Sequence, residues 1–407
     1  MPRVWRWIFT GLALTSVSAI ATMQADTSAH ELVHQALDLM QTNYRGAERL
    51  DLENLRGFAN AQLETACPAN QPCSYETGGE VIDAITERIG DGHTFRLSPN
   101  RFRQYTADNR NSSLPMLGLK FDDIPDANAL VVTRVKRESP ALKAGLQRGD
   151  VIWQVNERPL ESFKNASAAT EFITALEFKA DPIQLTVSTR GGPRRVLTLT
   201  PEAMQPWLPV YTLRPDGVAF ITFFQFVTRG QIASRVQELM GQVRDSGIRA
   251  VVVDVRGSGG GDGNEMARSV EALLETSSVQ FRPFSVGNAV AIDPTQTSFR
   301  RFERSEWNGQ IIVLVNRLSR SAAEYLAAGL QPSDRVTVIG EPTAGVLNSS
   351  TRVFNLQDGG ALAITATSRA SAPKQVEPDL LQTDDMAALS RGRDLVLEVA
   401  QRLLKRQ

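Results

Sequence analysis

Histidine and cysteine are scarce in this chain, three and two residues respectively out of 407. Two cysteines exclude a multi-bridge disulfide scaffold, and the lack of a second cysteine pair makes a thiolate metal site a poor reading. No net basic charge is present either: 44 Lys and Arg nearly cancel 45 Asp and Glu, for a formal charge of −1. Neither nucleic acid nor an anionic membrane therefore has an electrostatic claim as partner. The chain also lacks internal repeats and low-complexity tracts. Its 42% hydrophobic content and its length suit two to three globular domains with sizeable cores.

Long apolar runs are missing except at the start. Arg3 and Arg6 precede an apolar run from Trp7 to Ala21 that ends in Ala19-Ile-Ala21, the pattern of a signal peptide, read as residues 1–25. The run is short for a spanning helix, so no integral span is expected after cleavage, and an uncleaved anchor stays open. Export, to a periplasm or the outside, accounts for the two cysteines: Cys67 and Cys73 bracket Pro-Ala-Asn-Gln-Pro and are expected to form a disulfide worth roughly 2 kcal/mol.

Two strand exits carry the chemistry. Ile311-Ile-Val-Leu-Val-Asn316 empties into Arg317-Leu-Ser-Arg-Ser321, and a helical pattern follows from Ala322. A strand-turn-helix aims first-turn amides at an open site, so Ser321 with the Ala322 amide reads as nucleophile plus half an oxyanion hole, or simply as a helix N-cap. Earlier, Ala250-Val-Val-Val-Asp-Val-Arg256 runs into Gly257-Ser-Gly259-Gly260-Gly261-Asp-Gly263. Such a loop turns backbone N–H groups toward an oxyanion or a phosphate. No Lys-Ser/Thr follows its glycines, and no Gly-x-Gly-x-x-Gly register with a later ribose-binding acid is present, so nucleotide and dinucleotide sites fit badly.

Four pieces in order, Gly90-Asp91-Gly92-His93-Thr94, Asp254-Val-Arg256-Gly-Ser-Gly-Gly-Gly261, Ser319-Arg-Ser321-Ala-Ala-Glu324 and Gly340-Glu-Pro-Thr343-Ala-Gly345, resemble the C-terminal-processing, or tail-specific, serine peptidases, including their tricorn-like branch. The resemblance implies Ser321 as nucleophile, with Gly260 and Ala322 as oxyanion donors. The base departs from the pattern. Where many members carry a lysine after the Thr-x-Gly turn this chain has Val346, which accepts no proton. The tricorn-like branch is similar in using the histidine of its Asp-Gly-His-Thr segment, which implies His93 as general base; the bland alternative is a hydrogen-bonded core histidine. The orienting acid is missing from its expected place, Ser371-Ala-Pro-Lys-Gln375. Glu324, one helical turn past Ser321, and Glu377, in Val376-Glu-Pro-Asp379, are the candidates, with a plain first-turn acid the alternative for Glu324.

A second resemblance lies between the first two motifs. Met116-Leu-Gly-Leu-Lys-Phe121, Ala129–Val135, Ser139-Pro-Ala-Leu-Lys-Ala-Gly145 and Arg148-Gly-Asp-Val-Ile-Trp-Gln-Val-Asn156, with a final strand pair, resemble a PDZ domain. Such domains add an extended peptide as a strand and receive its terminal carboxylate on the Leu-Gly-Leu loop, which makes Gly118 and Leu119 the peptide-binding candidates. A plain strand start is the alternative. Arg190-Gly-Gly-Pro-Arg-Arg195 reads as a solvated hairpin tip rather than a basic patch.

One motif argues for other chemistry. His30-Glu31-Leu-Val-His34 matches the zinc-peptidase pattern His-Glu-x-x-His. It stands before any core that could enclose it, with only His93 left as a further histidine, so the polar face of an N-terminal helix is the better reading and no metal or other cofactor is expected.

The expected fold is α/β: a βα-unit catalytic core of the crotonase/Clp-protease kind over residues 204–407, an inserted PDZ-like β domain over 113–203, and an N-terminal helical domain over 26–112 that delivers His93. Predicted strands are Val218–Phe224, Ala250–Val255, Ile311–Val315 and Arg335–Ile339, and a closing helix, Arg393–Leu404, packs through Leu395, Leu397, Val399 and Leu403. The functional expectation is an exported serine endopeptidase acting on protein or peptide substrates with free C-termini, with self-association left open. A catalytically dead peptide-binding scaffold is the rival, and an esterase-like hydrolase on the same serine is a third reading.

Overall fold

The computed structural model describes residues 16–67, 73–124, 127–275, 279–286, 289–299 and 307–405, of which 16–27 and 279–299 by backbone course alone. The basic start and half of the apolar run of the expected leader, residues 1–15, lie outside the described residues, as does the 68–72 loop between the cysteines.

Buried β-branched runs build the centre. In Ala250–Asp254 every residue is buried, as expected of a strand covered on both faces. Side chains alternate: Val251 and Val253 enter one core with Ile311 and Val313, under helices Ile232–Asp245, Gly263–Leu274 and Ala322–Leu330. Ala250 and Val252 face the other way, with Ile312, Leu314 and the closing helix Leu395–Lys405. That helix packs through Val396, Ala400 and Leu404, flanked by Leu397, Val399 and Leu403. The expected face is therefore rotated, and Leu395 is not in it.

The sheet runs Val210–Leu213, Val218–Thr222, Ala250–Asp254, Gln310–Val315, Val336–Gly340, Leu380–Leu381. All neighbours but the first pair are parallel. Asp254 lies opposite Leu314, so the glycine loop and the Ser321 turn leave adjacent strands at the same sheet edge. Crevices at the carboxyl ends of such strands are where α/β sheets hold their ligands. The hairpin Val279–Val286 and Ala289–Phe299 was not anticipated from sequence.

The PDZ-like sheet, Leu119–Ile124, Ala129–Val135, Val151–Val155, Ile183–Ser188 and Arg195–Leu199, wraps with helix Ala166–Lys179 around Leu117, Leu130, Val132, Ile152 and Leu185. Leu114–Met116 and Glu202–Met204 pair antiparallel where the chain enters and leaves it. Past that exit, Trp207 is buried and packs on Phe224, ring centroids 4.6 Å apart, so the segment leaving the PDZ-like sheet makes a packed contact.

Helices Ser16–Asn43, Leu52–Ala66 and Tyr75–Ile89 do not close a core of their own. Leu32, Leu37, Leu63 and Ile82 pack with Leu356, Leu362 and Ile364 of the late hairpin Ser349–Asn355/Ala361–Ser368. Phe95–Leu97 is the third strand of that hairpin, Phe95 opposite Ala363. The front of the chain is thereby locked onto its later half. Cys67 and Cys73 form the expected disulfide, Cα atoms 5.4 Å apart. His30, Glu31 and His34 all lie on the exposed face of the first helix, opposite Leu32, Val33 and Leu37.

Buried charge joins the PDZ-like domain to the sheet. The Arg256 guanidinium contacts Asp254 (2.9 Å), Asp384 (3.0 Å) and Asp394 (2.8 Å). Arg134 reaches Asp254 at 2.7 Å and Arg148 reaches Asp394 at 2.8 Å from the PDZ-like side. Burial alone would raise the Asp254 carboxyl; the charges of Arg134 and Arg256 outweigh it and hold it down to about 2. Removing the central cation leaves three buried carboxylates under-compensated. Arg256→Met should lower unfolding free energy in urea by about 3–5 kcal/mol, and a loss under about 1 kcal/mol would show that the network tolerates its removal.

Candidate active site

Local chemistry explains how His93 is presented. Helix Tyr75–Ile89 ends on Gly90, which adopts the left-handed conformation (φ 64°) that terminates a helix without a Cβ penalty. Asp91 then clamps the turn: Oδ1 accepts N–H of His93 (3.1 Å) and Thr94 (2.7 Å), and Oδ2 accepts the hydroxyls of Thr94 (2.9 Å) and Thr365 (2.6 Å). Gly92, φ 75°, allows close approach: a Cβ there would stand 2.6 Å from Val346 Cγ1 and 3.6 Å from Arg320 Nη2. The Asp-Gly-His-Thr motif is thus a turn that lays Gly92 against Val346 and Arg320, the residue before Ser321, with His93 next in the chain.

The imidazole is 1% exposed. Its Nδ1 lies 2.8 Å from Ser349 Oγ, and Thr351 Oγ1 donates to its carbonyl at 3.0 Å. With the Ser349 hydroxyl directed at the Val346 carbonyl (3.4 Å), its lone pair accepts Nδ1–H. The Nε2 lone pair is then free, and Nε2 has no partner among the described residues. Burial, and next the Arg320 charge, depress the imidazole to about 4, against the opposing pull of Asp91. His93 is neutral at pH 7.

Ser321 caps helix Ala322–Leu330 and holds φ 52°, ψ −117°. A left-handed non-glycine residue costs on the order of 1–3 kcal/mol and persists only when its surroundings fix it. Glu324 does the fixing. Fully buried, it accepts from Ser321 N–H (2.8 Å), Thr343 Oγ1 (2.7 Å), Gly345 N–H (2.9 Å) and Val346 N–H (3.3 Å). Burial pushes its carboxyl up while these donors hold it back. The i, i+3 spacing that made Glu324 a candidate orienter serves Ser321's own amide instead. Glu377 is exposed and accepts from Gln375 Nε2 (2.6 Å). Neither acid hydrogen-bonds His93; Ser349, which carries no local signal in the sequence, occupies that position.

The glycine loop lies against the serine. A Cβ on Gly260 would sit 2.8 Å from Ser321 Cβ and 3.0 Å from Ala322 N, so only glycine fits (φ 87°). Arg320 N–H donates to the Ser258 carbonyl at 3.0 Å. Asn316 Oδ1 accepts from Gly257 N–H (3.0 Å) and Leu318 N–H (3.1 Å), and its Nδ2 donates to Asp384 (2.9 Å). Ser319 Oγ donates to the Val255 carbonyl at 3.0 Å. These links fix the two strand exits to each other, a role of Asn316 and Ser319 that the sequence reading did not find. Ser321, Gly260, Ala322 and Glu324 are therefore together, with His93 one residue past Gly92, which rests on Val346 and Arg320. Gly118 and Leu119 lie apart, at the edge strand of the PDZ-like sheet.

Residues 217–379 match the model for peptidase family S41, and residues 108–188 match that of the PDZ domain. A carboxyl-terminal-processing protease of Synechocystis is 26% identical over 300 residues, 70% of this chain and 65% of that protein. The chloroplastic carboxyl-terminal-processing peptidase 2 of Arabidopsis thaliana is 28% identical over 313 residues, 74% of this chain and 58% of its own length. The chain thus spans about three-fifths of these relatives. A solved structure of mature CPAF complexed with lactacystin shares the fold at TM-score 0.54 and 13% identity, covering 93% of this chain and 98% of that one. Three of the four motifs fall within the stretch that matches peptidase family S41, the inserted domain matches PDZ, and the chain is similar to carboxyl-terminal-processing proteases.

Proposed function

We propose that the chain is an exported serine endopeptidase in which Ser321 is the nucleophile, His93 the general base, and the PDZ domain the holder of a substrate C-terminus. The observation that carries this reading is the state of His93: neutral, Nδ1 committed, Nε2 unpartnered among the described residues, and one residue past Gly92, which rests on Val346 and Arg320. His93 Nε2 takes the Ser321 hydroxyl proton as Oγ bonds the substrate carbonyl carbon. The oxyanion accepts N–H from Gly260 and Ala322, and the imidazolium returns its proton to the leaving amine. Water then attacks the acyl-enzyme by the same route. The leader pattern and the Cys67–Cys73 bridge support export.

The dead-scaffold reading keeps one observation in its favour. Val346 is buried against Gly92, and the imidazolium has a hydroxyl rather than a carboxylate behind it. Depression of His93 makes that imidazolium roughly 3 kcal/mol harder to form than in water. The Ser349 hydroxyl fixes the tautomer without adding charge.

Labelling of the folded protein by a fluorophosphonate probe separates the two. Loss of label in both Ser321→Ala and His93→Ala is the expected result, with peptidase rate down at least about a hundredfold for His93→Ala; folded parent protein that takes no label would support the scaffold.

The pH profile follows from burial. His93 is protonated, and inactive as base, only below about 4, so kcat/KM should rise as pH passes through about 4 and be flat by pH 6. An acid limb centred near 6.5, the unperturbed value, would contradict the buried site. Ser349→Ala should cost about tenfold in kcat, the worth of one neutral hydrogen bond, whereas an unchanged rate would remove Ser349 from the assembly.

A further inference from the structure

The PDZ domain holds a half-buried acid that the proposed catalysis does not use. Glu177 stands near the end of helix Ala166–Lys179, and its Oε1 accepts N–H of Leu117 at 2.6 Å. Leu117 is the first residue of the Leu-Gly-Leu loop whose amides would receive a peptide carboxylate. Leu117 is fully buried and its carbonyl already accepts Ala141 N–H at 3.1 Å. Gly118 is pinned as well: its carbonyl accepts Lys136 N–H at 2.8 Å, and a Cβ on it would strike Ser139 Cβ at 2.3 Å. The loop is rigid, and one of its amides carries a carboxylate of this chain.

We propose that Glu177 is a resident stand-in for the substrate's C-terminal carboxylate, so that a peptide terminus docks on the Leu117–Leu119 loop only by displacing or neutralising the Glu177 side chain. The inference rests on the reading above that this loop is where a free C-terminus is held. Two carboxylates on one loop repel, and the second finds an amide already used. The PDZ domain then holds free C-termini weakly while Glu177 is ionised, and the groove opens when that charge is removed.

The surroundings favour a charge change in an accessible range. Burial raises the Glu177 carboxyl to about 7, and the Leu117 N–H only partly opposes this. Charged groups on the elements packed here are Arg101, Arg103 and Asp108 on helix Pro99–Asn109, Glu171 and Lys179 on its own helix, and Glu202, paired with Lys143, on the strand beside Leu114–Met116. Arg103 lies over the Phe178 ring, Glu171 accepts from Ser98 Oγ, and among the described residues none of them forms an ion pair with Glu177. Glu177 is therefore neutral below about 7 and ionised above it. Carboxylate capture should strengthen as pH falls through that value.

The test uses the full chain carrying Ser321→Ala, so that bound peptide is not cut. Fluorescence anisotropy follows two probes, a fluorescein-labelled Gly-Ser-Ala-Leu-Ala-Val hexapeptide with a free C-terminus and the same peptide as its C-terminal amide. At pH 8, adding Glu177→Gln should tighten the free-acid peptide at least tenfold and leave the amide unchanged. In the chain with native Glu177, the free acid should tighten by a similar factor between pH 8 and pH 6. The native-Glu177 titration stands even where the variant folds poorly. Free acid preferred over amide by equal factors with and without Glu177, and at both pH values, would overturn the stand-in role alone. No preference for the free acid in either protein at either pH would overturn C-terminus capture itself, and the stand-in role with it.

Discussion

A single buried carboxylate holds the catalytic architecture together. Glu324 accepts from the amide of Ser321, from Thr343 Oγ1, and from the amides of Gly345 and Val346. It binds a strained serine turn on one strand exit to the Thr-Ala-Gly turn on the next. Val346, set by the same carboxylate, is the surface on which Gly92 rests and hence fixes where His93 enters. An unpaired carboxylate at that depth would be costly; four donors make it tolerable and rigid. Parallel pairing of Ala250–Asp254 with Gln310–Val315 then brings the glycine loop alongside, so that Gly260 touches Ser321 and Ala322.

Rigidity of this kind suits transition-state stabilisation, because donors fixed in advance need no reorganisation when charge develops. The proposed base differs from that of a triad with a carboxylate: the partner of His93 Nδ1 is the Ser349 hydroxyl. Burial and the Arg320 charge outweigh the pull of Asp91, so the ring stays neutral, and in the proposed reaction the oxyanion supplies the opposite charge only as it forms. The Arg256 network ties Arg134 and Arg148 of the PDZ domain to Asp254 and Asp394, at the root of the same glycine loop. The two domains thus share one buried electrostatic joint.

The features legible in the sequence were those made by local chemistry. Apolar runs located four of the five parallel strands to within two residues, Leu380–Leu381 being the one missed, because a strand buried on both faces has to be apolar throughout. The glycine loop and the Gly90-Asp-Gly-His segment announced turns, with positive φ at Gly90, Gly92, Gly257, Gly260 and Gly261, a backbone that glycine adopts most readily. What stayed hidden depends on residues far apart in the chain. Ser349 meets His93 across 256 positions from an ordinary strand start. Packing of the first three helices on Leu356, Leu362 and Ile364 needs the late hairpin, which no front-half periodicity reveals. Glu324 was visible but its partner was not: helical spacing placed it near Ser321, and the amide it would choose was a matter of turn geometry. The same holds for Glu177, an unremarked helix residue until the Leu117 amide is beside it.

The central claim is that an imidazole from the front of the chain serves an alcohol more than two hundred residues later. A crystal structure of the protein reacted with a peptide boronic acid tests it directly. The account predicts boron bonded to Ser321 Oγ, one boronate oxygen between the amides of Gly260 and Ala322, and His93 Nε2 within about 3 Å of Ser321 Oγ or of the other boronate oxygen. An adduct on Ser321 with the His93 ring out of reach and a Glu324 oxygen as the nearest acceptor would contradict it.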